Sequence, residues 1–278
     1  MNTTEMENIC GLKREDFQTT INGKQTDLYI LKNQIGNEVA ITNYGGAIVA
    51  IMVPDRNGKH ANVIQGHRSI QDVINSPEPY LSTLIGRYGN RIAKGKFQLN
   101  GKEYFLAINN GPNSLHGGKK GYNAKVWEAL QMNDQTLVLQ YVSPYGEEGF
   151  SGEVKVTVVY TFNNDNELII EYMATTNKKT IINLTSHGFF SLAGTPFDFR
   201  TPKPVGQDID ADDEQIKNGA GYDHCFVLNK KEESELSFAA RIEEPVSGRT
   251  MEVYTTEPGV QVYTDNWADG YKGQHGAT

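Results

Sequence analysis

From residue 154 the chain reads Val-Lys-Val-Thr-Val-Val-Tyr, so Val154, Val156, Val158 and Tyr160 fall on one face of an extended segment. Alternation with a period of two predicts a half-buried strand. A second strand is predicted over 168–173, across the turn cluster Asn163-Asn-Asp-Asn. Asn22-Gly23, Asn57-Gly58 and Asn100-Gly101 each predict a tight hairpin, because Asn and Gly accept the two positive φ angles of a type I′ turn at little cost. Around the last of these, Phe97 and Leu99 precede the turn and Tyr104 and Leu106 follow it. Further β-rich runs lie at 136–142, 179–185, 225–228, 251–254 and 260–263. Helix signals are confined to 69–75 and 212–218, both shorter than the roughly 11 residues of an ordinary helix. The pattern predicts an all-β protein, a large antiparallel β-sandwich with little helix. No repeat, low-complexity tract or linker marks a boundary, so residues 1–278 are expected to form a single domain.

Composition narrows the function classes. A chain of 278 residues can bury a sizeable core without disulfides or metals. Mean hydropathy is −0.51, and no apolar run approaches the roughly 18 residues of a spanning helix, so no membrane association is expected. With a net charge of −8 the chain would need a local basic patch to bind nucleic acid, which nothing favours, and a small neutral or cationic ligand is more natural. Cys10 and Cys225 are too few for a disulfide framework, and the N-terminal MNTTEMENIC lacks the apolar stretch of a signal peptide; a cytoplasmic protein is expected.

The histidines carry most of the candidate chemistry. His116 stands in Asn113-Ser-Leu-His116-Gly-Gly, where two glycines allow backbone or ligand to approach closely. His187 ends the run Asn183-Leu-Thr-Ser-His187, and Asp223 and His224 follow Gly221-Tyr222. His60, His67 and His275 lie in polar, turn-like stretches. Each histidine taken alone reads more readily as a hydrogen-bonded structural or surface residue; only two histidines and an aspartate together, each in a Gly-containing polar loop, make the functional reading its equal. No closely spaced pair of the His-x-x-x-His or Cys-x-x-Cys kind is present, so no metal site is expected. Gly-x-Ser-x-Gly, Gly-x-Gly-x-x-Gly and Walker loops are likewise missing from the sequence. In Gly86-Arg-Tyr-Gly-Asn90-Arg91-Ile, an Asn amide and Arg forks lie among glycines. Such groups hydrogen-bond vicinal hydroxyls, which points to a sugar; the alternative for Arg87 or Arg91 is an ion pair with a carboxylate.

Taken in order, Asn43-Tyr-Gly-Gly-Ala-Ile, Gly86-Arg-Tyr-Gly-Asn-Arg-Ile-Ala-Lys-Gly, Asn113-Ser-Leu-His-Gly-Gly, Asn183-Leu-Thr-Ser-His, Gly221-Tyr-Asp-His and Pro258-Gly-Val-Gln-Val-Tyr-Thr resemble the aldose 1-epimerase (galactose mutarotase) family. The resemblance spans about residues 11–278. It implies a large antiparallel sandwich and interconversion of the α and β anomers of free aldoses such as galactose and glucose, with no cofactor. By matching motif it implies Asn90, Arg91, His116, Asp223 and Gln261 as sugar-binding residues. His187 is implied as the general acid, with His116 beside it in catalysis at the ring oxygen or an adjacent hydroxyl. An acid protonates the ring oxygen while a base takes the C1 hydroxyl proton; the ring opens, the aldehyde rotates, and closure presents its other face. Two departures stand out. The family's base glutamate, beyond the Gln261 motif, has no counterpart here; Glu257 reads as a turn residue, and Asp265 is a poor substitute. Ala193-Gly194 also runs straight into Thr195-Pro-Phe-Asp-Phe, where the family has further strands. The expectation is therefore an epimerase domain incomplete at its C-terminus, with impaired turnover. The alternative is a non-catalytic carbohydrate-binding module or inactive fragment of the same fold. A third reading, a relative acting on phosphorylated sugars, would want a cationic cluster that the acidic balance does not favour. The sequence leaves the oligomeric state and the preferred aldose open.

Overall fold

The structure, a computed structural model, describes residues 8–64, 66–187, 201–213, 216–217, 220–228, 230–232 and 234–264. The chain divides into two compact units. One runs to Pro54 and from Lys59 to His187; the other holds Asp55–Gly58 and the described residues after 200.

The first unit is a two-layer sandwich. One sheet orders Leu28–Lys32, Glu38–Thr42, Ile48–Pro54 and His60–Asn62 as consecutive antiparallel neighbours. The other orders Glu128–Asn133, Thr136–Ser143, Val154–Phe162 and Leu168–Thr176. Over Val154–Phe162, buried residues alternate strictly with more exposed ones, as the period-two pattern predicts. Val154, Val156, Val158, Tyr160 and Phe162 pack with Leu137 and Leu139 against Leu31, Val39, Ile41 and Ile48 of the facing sheet. Each such side chain taken from water contributes roughly 1.5–3 kcal/mol. The first sheet is buried on both faces: Leu28, Ala40, Ala50 and Met52 point the other way, onto Cys10, Leu12, Phe17 and Val73. The buried Glu38 ties down the start of the described chain, its carboxylate accepting the Ile9 amide at 2.7 Å and pairing with Lys32 at 3.2 Å.

The turns mostly follow their chemistry. Asn22 and Gly23 both have positive φ, as do Asn100 and Gly101, and each pair closes a two-residue hairpin. Asn57-Gly58 does not form the expected type I′ turn. Only Gly58 has positive φ there, because the Asp55 side chain captures the Asn57 amide at 2.8 Å and the Asp55 carbonyl captures that of Gly58 at 2.9 Å, making a longer loop. A short helix, Ile70–Ile74, begins under a Ser69 cap. Of 212–218 the described part is a single turn, with the Lys217 amide on the Asp213 carbonyl at 3.0 Å. The β-rich run 179–185 yields only the two-residue strand Thr185–Ser186, because its partner Leu84–Ile85 is equally short. Asn183 is spent instead on Arg87 and Gly89, its amide on the Arg87 carbonyl at 2.9 Å.

In the second unit, Asp223–Val227 pairs with Gly259–Tyr263, and Ser237–Glu244 with Arg249–Thr255 across a bulge at Phe238/Ala240.

Candidate active site

Two short strand pairs in the first unit bring together three of the residues singled out in the sequence. Arg91–Ile92 pairs with Ser114–Leu115, so Asn90 just before one strand meets His116 just after the other. Leu84–Ile85 pairs with Thr185–Ser186, which delivers His187 at its end. Asn90 and His116 both adopt positive φ, +65° and +51°. They are cross-linked twice: the Asn90 amide donates to His116 Nδ1 at 3.1 Å, and the His116 amide donates to the Asn90 carbonyl at 3.2 Å. The Asn90 side-chain oxygen turns back to accept the Arg91 amide at 2.8 Å. Arg91 is exposed, its Nε donating to the Asn110 carbonyl oxygen of the side chain at 3.0 Å.

The two imidazoles meet edge to face, ring centroids 5.0 Å apart and Nε2 to Nε2 at 3.4 Å. Because His116 Nδ1 accepts from Asn90, the neutral His116 ring carries its proton on Nε2, directed at the lone pair of His187 Nε2. Burial pushes His187 down to about 4. His116 falls to about 3, first through burial, then through the nearby charges of His187 and Arg91. Both rings are therefore neutral at pH 7. A pKa of about 4 leaves only about one His187 in a thousand protonated there. To donate a proton, His187 must first acquire one.

The loop after His116 requires its glycines. Gly117 and Gly118 have φ of +86° and +106°, and a Cβ on Gly117 would stand 1.9 Å from the Gly86 carbonyl. The Asn109 amide clamps this loop from within, donating to the Leu115 and Gly118 carbonyls at 3.0 and 2.9 Å and accepting the Leu115 amide at 2.8 Å.

Asp223 and Gln261 belong to the second unit. Asp223 lies opposite Tyr263, which puts Gln261 diagonally across the ladder on the same face. Gln261 Nε2 donates to Asp223 Oδ1 at 2.6 Å. Of the two residues weighed as replacement bases, Glu257 is an exposed turn residue whose amide donates to Thr255 Oγ1 at 3.0 Å, and Asp265 lies outside the described residues.

The model of the family described as "Aldose 1-epimerase" matches this chain over residues 27–195 and 188–278. The chain belongs to the aldose 1-epimerase family. The galactose mutarotase of Bos taurus is 39% identical over 276 residues, which cover 86% of this chain and 78% of that protein. The aldose 1-epimerase of Escherichia coli K12 is 29% identical over 283 residues, covering 89% and 81%. Among solved structures, the galactose 1-epimerase of Lactobacillus acidophilus NCFM superposes with a TM-score of 0.68 at 25% identity, covering 77% of this chain and 73% of that one. An aldose epimerase homologue from C. elegans gives 0.56 at 28% identity, and the match spans about half of that chain, 52%. Membership makes the protein an isomerase with the all-β mutarotase-like fold.

Within this epimerase chain the sequence reading missed several neighbours of the histidine pair. Tyr80 packs on both rings, 4.7 Å from His116 and 6.0 Å from His187 by centroid. Burial, and then the Glu78 charge, raise its phenol above the usual range. Its loop, 76–83, carries no periodic signal. Among the described residues no carboxylate pairs with Arg87. Its buried guanidinium donates to the Ser143 hydroxyl and to the carbonyls of Ser143, Pro144, Ser151 and Gly152. His67 is buried rather than turn-exposed, and burial lowers its pKa. Among the described residues no cluster of three or more His, Cys, Asp or Glu is arranged to hold a metal ion.

Proposed function

We propose that this chain interconverts the α and β anomers of free aldohexoses such as galactose and glucose. The observation that carries the reading is the half-buried His116–His187 pair, with His116 held in a fixed tautomer by the Asn90 amide. In this mechanism His187 delivers a proton to the ring oxygen, and His116 Nε2–H steadies the ring oxygen or a neighbouring hydroxyl. Asn90 and Arg91 hold further hydroxyls. In the second unit, the Asp223 carboxylate offers an acceptor and the Gln261 amide both a donor and an acceptor for sugar hydroxyls. The C1–O5 bond breaks as O5 takes the proton from His187, the C1 hydroxyl gives its proton to solvent water and C1 becomes an aldehyde; rotation about C1–C2 and reversal of both transfers give the other anomer. A proton donor and an acceptor are each worth about 10²–10⁴-fold. We read both units as parts of one epimerase domain acting in the cytoplasm on a small sugar, with neither nucleic acid nor membrane as partner. No helix among the described residues is long and apolar enough to cross a membrane.

The second reading, a sugar-binding module with little or no turnover, has one observation in its favour. Burial holds His187 down to about 4, which disfavours the protonated acid at pH 7.

Polarimetry of freshly dissolved α-D-galactose separates the readings. Relaxation faster than buffer with the parent chain, lost in His187→Ala, supports the epimerase. Unaccelerated relaxation by folded protein that still binds galactose supports the module. Failure to bind galactose, or a preference for galactose 6-phosphate, contradicts both.

A further inference from the structure

The turn at 146–149 lies outside the sugar site, yet its geometry is organised around the loop that carries His116. Glu148 has φ +51° and ψ 16°, a left-handed conformation that glycine or asparagine would adopt at lower cost. Its flanking glycines, Gly146 and Gly149, are also at positive φ, +82° and +95°. What the glutamate adds is its side chain. One carboxylate oxygen accepts the Lys119 amide at 2.8 Å, and the other accepts the Lys120 amide at 3.3 Å. A Cβ on Gly118 would stand 2.3 Å from that same carboxylate, so the group is seated directly against the glycine. On the far side of this contact, His116, Gly117 and Gly118 run through three successive left-handed conformations. The two glycines adopt it freely, but His116 keeps it only where its surroundings over-determine it.

We propose that Glu148 is a positioning residue for His116: its carboxylate braces the backbone that follows the histidine and so fixes the imidazole against Asn90 and His187. The proposal rests on the reading of His116 as a sugar-contacting group. Two further anchors make the brace rigid. Glu147, next in the turn, accepts from Lys125 at 2.6 Å, from the Tyr141 hydroxyl at 2.7 Å and from the Ser143 hydroxyl. Arg87 ties the same segment at Ser143, Pro144, Ser151 and Gly152. Asn109 grips the opposite side of the His116 loop through Leu115 and Gly118. The loop is thus held between an amide clamp and a carboxylate brace. Of the two, Glu148 alone reaches the chain beyond Gly118.

The decisive variant is Glu148→Gly, which removes the carboxylate while relieving the backbone; Glu148→Gln keeps an acceptor. Four readouts are taken on the full 278-residue chain. They are the melting temperature, the ring-nitrogen NMR signature of His116, amide exchange at Lys119 and Lys120, and galactose affinity. Glu148→Gly should keep or raise the melting temperature. It should replace the fixed Nε2–H tautomer of His116 by an averaged signal, speed amide exchange at Lys119 and Lys120 at least about tenfold, and weaken galactose binding by about tenfold or more. Glu148→Gln should recover most of the affinity. An unchanged His116 signature with parental affinity in Glu148→Gly overturns the proposal. So does a loss of melting temperature in both variants that accounts for the weaker binding, since that is a purely structural role. If the parent chain fails to bind galactose, or His116→Ala binds as well as the parent, the functional reading fails. The tautomer and amide-exchange readouts then decide the brace by themselves.

Discussion

Acid should weaken this protein through its histidine pair, and the size of the effect follows from burial. An ordinary histidine in the unfolded chain titrates near 6.5, whereas folding holds His187 at about 4 and His116 at about 3. The folded values are depressed. The stability these rings contribute is therefore fully present above about 6.5 and is lost as pH falls toward the folded values, because the unfolded chain binds protons that the native chain refuses. From pH 7 to pH 5, linkage gives a loss of roughly 2 kcal/mol for each ring, or about 4 kcal/mol for the pair. That is a large share of the 5–15 kcal/mol typical of a whole domain. His67 is shifted the same way by burial, so the pair must be isolated by substitution. Urea unfolding followed by tryptophan fluorescence at pH 7, 6 and 5, on the parent and on His187→Gln, provides the comparison. The variant should lose about 2 kcal/mol less than the parent over that range. Equal pH dependence in the two proteins, or an NMR titration placing the His187 midpoint near 6.5, would refute the claim that burial keeps the pair neutral.

Three further outcomes are expected. Gly117→Ala places a Cβ 1.9 Å from the Gly86 carbonyl at a φ of +86°, so it should destabilise by more than about 2 kcal/mol and weaken galactose binding, as read by thermal melts and calorimetry. Arg87→Ala strips donors from four buried or half-buried carbonyls and should cost about 3 kcal/mol or more in urea unfolding; a loss within about 0.5 kcal/mol would mean that water replaces the guanidinium. Gln261→Ala removes the 2.6 Å bond to Asp223 and should lower galactose affinity by roughly tenfold while melting within a few degrees of the parent.

The hydrophobic alternation at 154–160 was enough to locate the strand Val154–Phe162 and to say which face it buries, because burial on one side of a sheet imposes a period of two. Asn22-Gly23 and Asn100-Gly101 were legible for an equally local reason, the φ each residue tolerates. Asn57-Gly58 misled because the side chain of neighbouring Asp55 takes the Asn57 amide and its carbonyl takes that of Gly58, which the dipeptide alone does not announce. The grouping of Asn90, His116 and His187 came from the resemblance of ordered motifs and not from periodicity, since the three sit at the ends of two-residue strands too short to leave a pattern. Gly117-Gly118 signalled a close approach without naming what approaches: the Gly86 carbonyl and the Glu148 carboxylate come from distant parts of the chain. Tyr80, Asn109 and Glu148 escaped for that same reason, as each acts through a polar or aromatic contact between loops.

The account turns on whether the histidine pair moves protons on a bound sugar. The most direct measurement is exchange NMR on galactose at anomeric equilibrium, following magnetisation transfer between the α and β C1 protons at pH 7 with the parent chain and with His187→Ala. Cross-peaks growing in proportion to the concentration of the parent chain, and returning to the buffer rate in the variant, are the predicted result. Buffer-rate exchange with the parent while galactose is demonstrably bound would contradict catalysis, and the sandwich would then serve as a sugar-binding fold alone.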